Sequence, residues 1–312
     1  MKNKNKFPST GGLWLTLLAT LVAMLSAHAQ DSASPAVRLL ECKRPLVIGH
    51  RGYSQFAPEN TLPSFKLALE AGADMAELDY YHSKDGALVV IHDATLDRTT
   101  DATNRWGGKK ISVESKTAAE IQSLDAGSWF DPKYAGTKIP LLTNVLEVVH
   151  AAGGVTLIER KGGDAATCVK MLEEKKLINQ VIVQSFNWDY LKAFHDLNAA
   201  QVLGALGPPK TLADGSKPGD KDKALSAEWL DLLALTGAKA VVWNDQVSKE
   251  SVALAHQRGF KVWVYTINDS EKASQLLDLG VDGLITNNTS LMWRTVALRK
   301  SHGAGSGVSS PE

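Results

Sequence analysis

Apolar runs of strand length recur along the chain at Leu46–Gly49, Met75–Tyr81, Val155–Ile158, Val181–Gln184, Gln201–Leu206, Ala240–Trp243, Lys261–Tyr265 and Gly283–Ile285. Between them, apolar positions at helical spacing predict helices at about Ala165–Glu174, Trp188–Leu197, Ala227–Leu235, Lys249–Gln257 and Glu271–Leu279. Thr61 stands where it can cap an earlier helix ending at Glu70. Strand and helix in alternation demand right-handed crossovers and a mostly parallel sheet. An open doubly wound sheet competes, but eight similar units in about 250 residues favour a closed α/β barrel of the TIM (β/α)8 type.

Two features interrupt the alternation. Leu88–Ile91 follows Lys84-Asp85-Gly86, a strong turn signal, and so reads as an extra hairpin arm on the Met75–Tyr81 strand. Counted from the midpoint of Asp85-Gly86, Asp79 and His92 are equidistant, so a regular hairpin would set them opposite one another. Residues 93–142 then form a long insertion, with a capping box at Thr117 and Glu120. Its Trp and Phe residues predict a packed insertion rather than a loose one. A second irregular stretch, Gly204–Lys223, is a candidate rim loop.

At the ends the pattern changes. Lys2, Lys4 and Lys6 precede the apolar run Leu13–Leu25 and the small-x-small site Ala27-His28-Ala29. Residues 1–29 therefore read as a cleaved signal peptide, and the product as periplasmic or secreted without stable membrane insertion. Residues 30–44 read as a leader, 45–296 as the catalytic barrel domain and 297–312 as a disordered tail. Removing 1–29 takes the balance from 34 basic and 34 acidic residues to 31 against 34. That slight acidity provides no field for nucleic acid, so phosphate would have to be bound locally. Cys42 and Cys168 have no nucleophile-like context and read as structural, paired or not. Oligomeric state is not legible.

Polar residues gather at the C-terminal ends of the strands, where a barrel assembles its site. Glu77 and Asp79, two apart in a strand, share a face; alone they would suit a solvated edge strand equally. Glu159 ends an almost wholly apolar strand. Three carboxylates in one mouth repel unless a cation joins them, and oxygen-only ligation suits one Ca2+ or Mg2+ rather than zinc. His50 and His92 each close an apolar strand, whereas His82 reads as structural or supporting, and His150, His195 and His256 as surface or packing residues. Two histidines flanking a phosphate can divide base and acid duty, with His50 read as base and His92 as acid. Arg51 and Lys161 are local cations for phosphate oxygens, although Arg51 could equally be spent on Glu59 or Asp93.

The ordered set His50-Arg51-Gly52, Pro58-Glu59-Asn60-Thr61, Glu77-Leu78-Asp79, Asp85-Gly86, His92-Asp93 and Leu96-Asp97-Arg98-Thr99-Thr100 resembles the glycerophosphodiester phosphodiesterase family. Ile139-Pro140-Leu141-Leu142, Glu159 with Lys161, Gln184-Ser185-Phe186, Thr266-Ile267-Asn268 and Asp282-Gly283-Leu284-Ile285-Thr286 continue the match in order. The resemblance implies metal ligands at Glu77, Asp79 and Glu159, and substrate contacts at Arg51, Lys161, Gln184, Phe186, Tyr265 and Trp263. It implies a small glycerophosphodiester substrate, with the insertion shaping the leaving-group side. The chain departs from that pattern at Tyr265, where a tryptophan is usual, at the bulky Tyr80-Tyr81-His82, and at Asn287-Asn288, where an acidic-basic pair is usual. Two alternatives are a phospholipase D or sphingomyelinase D-like lipid phosphodiesterase, which wants an apolar or basic rim, and a non-catalytic exported binding protein. The latter would have lost a histidine or a carboxylate.

Overall fold

The computed structural model describes residues 33–212 and 215–303. Eight parallel strands close into a barrel: β1 (Leu46–Gly49), β2 (Met75–His82), β4 (Val155–Arg160), β5 (Ile182–Ser185), β6 (Leu203–Gly207), β7 (Ala240–Trp243), β8 (Lys261–Val264) and β9 (Gly283–Thr286). Closure is completed by β1, which pairs with β9 through Leu46 opposite Gly283 and with β2 through Ile48 opposite Met75. The ninth strand, β3 (Leu88–Val90), pairs antiparallel with β2, and its Val89 bridges Leu141 at the end of the insertion.

Period-two alternation divides the strand residues into two cores. Leu46, Ile48, Met75, Val155, Leu157, Ile182, Val242 and Trp263 fill the barrel interior. Val47, Ala76, Leu78, Ile158 and Val183 face outward and pack beneath the helices. The helices 165–174, 188–197 and 249–257 have the bounds their apolar spacing predicts, and each begins at an Asp, Asn or Ser whose side chain accepts from the first turn. Among the described residues no helix is long and apolar enough to cross a membrane.

Several expectations need correction. The leader contains a helix, Pro35–Glu41, whose Ala36 is buried in the interior core while Val37, Leu39 and Leu40 pack against it, so it closes the N-terminal end of the barrel. Thr61 occupies its predicted N-cap position, but its hydroxyl donates to the Pro58 carbonyl instead of accepting from the helix. A final helix, Thr289–Gly303, runs through residues 297–303 of the expected tail; residues 304–312 and the signal-peptide segment lie outside the described residues. A helix at Leu142–Ala151 ends the insertion, burying Leu142, Val145, Leu146 and Val149. The insertion is packed: Leu96, Val113, Ile121, Leu124 and Ile139 form a small core with Val89 and Ile91 of the hairpin arm, Trp106 packs against it, and Trp129 is exposed. Both cysteines are free.

The hairpin register also differs by one residue. Tyr80 pairs with Val90 and the Ile91 amide donates to the Asp79 carbonyl, so Ile91 and not His92 lies opposite Asp79. The cause is loop length: Ser83 and Ala87 still bond, leaving a three-residue loop, Lys84-Asp85-Gly86, with Gly86 at φ +80°. Gly52 has a similar φ of +82°, but there a Cβ would stand 2.5 Å from the Ser64 carbonyl carbon, whereas at Gly86 nothing lies within 4 Å. We predict that Gly86→Ala costs about 1 kcal/mol, the left-handed penalty alone. Gly52→Ala should cost at least twice that, read as the difference between their urea unfolding midpoints; equal costs would refute the steric argument.

Candidate active site

Along each inward-facing row the side chain changes from apolar to polar as the strand nears its C-terminal end. Ile48 gives way to His50, Met75 to Glu77 and Asp79, Leu157 to Glu159, and Ile182 to Gln184. Strand register then sets Asp79 beside Glu159 and Glu159 beside Gln184. The donor oxygens of Glu77, Asp79 and Glu159 lie within 4.8 Å of one another, and all three residues are buried.

Each carboxylate is held by one oxygen and leaves capacity for another ligand. Glu77 Oε2 accepts the Arg51 amide at 2.8 Å, while its Oε1 is buried without a partner. Asp79 Oδ2 accepts from Asn60 Nδ2 at 2.9 Å, and its Oδ1 has no hydrogen bond. Lys161 Nζ donates to Glu159 Oε1 at 2.8 Å and stands 3.4 Å from Asp79 Oδ1. Burial, Asp79 and Glu159 raise Glu77 well above the usual carboxylate range. Burial and Asp79 push Glu159 up to about 7. Burial acts on Asp79 too, but Lys161 and Arg51 outweigh it and hold that group below its ordinary value. Orphaned, converging carboxylate oxygens are the donor set of a hard divalent cation, so the residues fit a metal site.

The two histidines have unlike partners. His50 Nδ1 lies 2.7 Å from Asn287 Oδ1, which also accepts from Ser54 Oγ. That contact gives Asn287 a role the sequence did not suggest, and Asn288 Oδ1 accepts from Leu291 N in the first turn of the last helix. His92 Nδ1 lies 2.7 Å from Asp93 Oδ1, and Arg98 grips both Asp93 and Glu59 through four hydrogen bonds. Glu59 in turn binds Arg51 at 2.9 Å, and Arg51 Nε lies 3.4 Å from Asp79. The Arg51–Glu59 pair therefore forms without drawing Arg51 away from the carboxylates. Burial and Arg51 push His50 down to about 4. His92 is also lowered by burial, with Asp79 and Asp93 opposing.

Sequence reading missed Asn60, Asn287, Glu59 and Arg98 as site residues, although three of them lie in the quoted motifs. Asn60 is the most informative: at φ +58° it donates to Asp79 and accepts the Asp79 amide, clamping the carboxylate strand. His82 lies off the site, stacked on Tyr80.

The remaining wall is aromatic and cationic. Phe186 meets Tyr265 edge to face at 5.9 Å, Tyr265 donates to the Gly207 carbonyl, and Lys210 Nζ stands 5.1 Å over the Phe186 ring. Gln184 is buried with its Oε1 unpaired. Trp263 must be reassigned: it shares the inward face with Tyr265 but sits one layer deeper, fully buried among Ile48, Leu157 and Ile182, and so forms the floor. Glu159, Lys161, Phe186 and Lys210 open onto one cavity of about 740 Å³.

The model of the glycerophosphoryl diester phosphodiesterase family matches residues 50–291, which includes the carboxylate triad and both histidines. The chain belongs to that family. It is 32% identical over 317 residues to a glycerophosphodiester phosphodiesterase of Bacillus subtilis, covering 91% of this chain and 95% of that one. The enzyme of the same name from Caldanaerobacter subterraneus is 32% identical over 251 residues, covering 78% of this chain and 95% of the relative. Among solved structures, an Oleispira antarctica phosphodiesterase in complex with the product sn-glycerol-3-phosphate superposes with a TM-score of 0.70 at 27% identity, covering 81% of this chain and 97% of that one. The chain is accordingly an enzyme, a phosphodiesterase of the hydrolase class, built as a (β/α)8 barrel with a small-molecule substrate.

Glu77 and Glu159 titrate higher folded than unfolded. Their contribution to the stability of the metal-free fold is therefore present below the ordinary glutamate pKa of about 4.5 and lost as pH rises through about 7, while the lowered His50 and His92 contribute the opposite slope over much of that window. The difference in urea midpoint in chelator between the wild type and Glu77→Gln with Glu159→Gln isolates the two glutamates and should move against the wild type as pH rises from 4.5 to 8. Saturating divalent cation, which binds the ionised forms, should remove that trend. A difference independent of pH would overturn the reading.

Proposed function

We propose that this enzyme hydrolyses glycerophosphodiesters to glycerol 3-phosphate and an alcohol, outside the cytoplasm, after cleavage of a signal peptide near Ala29. The observation that carries the reading is a buried carboxylate triad with orphaned oxygens, flanked by two histidines with unlike partners. Glu77, Asp79 and Glu159 would hold one divalent cation, Ca2+ or Mg2+, which when bound withdraws charge from the phosphate oxygens. Arg51 and Lys161 neutralise the same oxygens from the protein side.

The substrate carries its own nucleophile. The glycerol 2-hydroxyl lies beside the phosphorus, and intramolecular attack gains the advantage of proximity. His50 accepts that hydroxyl's proton: desolvation and the neighbouring Arg51 charge keep its ring uncharged, and an Nδ1–H donated to Asn287 leaves the Nε2 lone pair free. His92 gives a proton to the departing alkoxide, since the Asp93 carboxylate, itself held by Arg98, favours the protonated ring. The P–O bond to the alcohol breaks, a 1,2-cyclic phosphate forms, and water opens it with the two roles exchanged.

Metal-stripped protein, checked by elemental analysis, should lose turnover of glycerophosphocholine and regain it with Ca2+ or Mg2+. Full activity without metal would sink this part. His50→Ala and His92→Ala should each lower kcat by roughly 10²- to 10⁴-fold with metal content unchanged. On a substrate with a nitrophenolate leaving group, which hardly needs protonation, the His92 variant should recover much of its rate and the His50 variant should not. Equal defects on both substrates would reject the division of labour, and fast cleavage of a 2-deoxy analogue would reject the cyclic route.

A further inference from the structure

His50 is held where the first and last strands close the barrel. Its amide donates to the Thr286 carbonyl at 2.8 Å, which sets the ring beside Asn287, one of the positions where the sequence departs from the pattern it resembles. Asn287 is gripped from three directions. Its amide donates to Asn268 Oδ1 at 2.8 Å, and Thr286 Oγ1 lies 3.3 Å from that same oxygen. Its carbonyl accepts from the Gln55 amide at 3.1 Å, in the loop after β1. Its side-chain oxygen takes two donors, Ser54 Oγ at 3.1 Å and His50 Nδ1 at 2.7 Å. Two protons thus fill the two lone pairs of one fixed oxygen. Turned over, the amide would aim an N–H at Nδ1, drive the ring proton to Nε2 and leave the Ser54 proton without this acceptor.

The charged groups facing the ring are Arg51 on its own turn, Asp79 on β2 and His92 on the hairpin arm. Among the described residues no carboxylate hydrogen-bonds to it, so the partner on Nδ1 is neutral. Resting on the base role proposed above for His50, we infer that Asn287 is a positioning residue: its amide fixes the His50 tautomer with Nε2 bare, without adding a counter-charge at Nδ1. A carboxylate in its place would fix the same tautomer but would also stabilise the imidazolium, since an opposite charge within about 4–6 Å favours the charged form. The ring would then keep its proton to higher pH and serve as a base only above it. The amide separates these two effects. It leaves the base competent in mildly acid solution, a range that burial and Arg51 extend by pushing His50 down to about 4.

The test compares Asn287→Asp and Asn287→Leu with the wild type on glycerophosphocholine, at saturating Ca2+ or Mg2+, from about pH 4 to about pH 8. Asn287→Asp should move the acid limb of kcat/KM up by about 1 unit or more and stay within about threefold of the wild type at neutral pH. Asn287→Leu, similar in size but without an acceptor, should lower kcat roughly 10²-fold at every pH, with KM and metal content little changed. The carboxylate thus rescues at neutral pH what leucine loses, which packing alone would not do. An unshifted acid limb in Asn287→Asp, or equal neutral-pH activities of the two variants, would overturn the inference. Absence of glycerophosphocholine turnover in the wild type would instead fault the hydrolase reading. In that event, or if Asn287→Leu does not fold, the nitrogen NMR signals of His50 decide, identified by their loss in His50→Gln. Above about pH 6 the metal-loaded wild type should show a protonated Nδ1 and a bare Nε2, and a ring protonated on Nε2 would overturn the inference.

Discussion

Three buried carboxylates with oxygens within 4.8 Å of one another repel by about 3–4 kcal/mol per pair at an effective dielectric near 20. No hydrophobic core would tolerate that arrangement without compensation, and much of what surrounds the triad is compensation. Lys161 and Arg51 lie against Asp79, the Arg51 amide donates to Glu77, and both glutamates are pushed above the usual carboxylate range toward the protonated form. The apolar floor of Ile48, Leu157, Ile182 and Trp263 keeps water from below, which strengthens both the repulsion and its relief.

The second constraint is mechanical. His92 sits on an antiparallel arm paired with one barrel strand, a position that by itself would leave it poorly fixed. The chain of ion pairs from His92 through Asp93, Arg98, Glu59 and Arg51 to Asp79 ties that arm to the barrel floor. Burial pushes both histidines down, yet their partners separate them, an amide for His50 and a carboxylate for His92. Residues identical in isolation thereby stand in different electrostatic surroundings.

The cavity beyond Phe186 takes walls from two helices and the loop after β6, while the carboxylates and the two histidines come from the ends of β1, β2 and β4 and from the hairpin arm. Rim and floor are thus independent, because strand ends hold the catalytic atoms and the connecting segments are free to vary.

The amino-acid sequence alone determined the class of fold and the carboxylate triad, because both follow from periodicity. Alternation places Glu77 and Asp79 on one face, and eight repeated units of strand and helix demand closure. The two histidines were legible for the same reason, each ending an apolar run. Tertiary structure decided whatever depends on distance in space between residues far apart in the chain. Asn287 reaches His50 across 237 positions and Arg98 reaches Glu59 across 39, and no local pattern encodes either contact. It also decided depth and register: Trp263 and Tyr265 share a face, but only barrel packing puts one in the floor and the other in the wall. Asp-Gly marks a turn without stating whether two residues or three form it, and that one residue moves His92 away from Asp79.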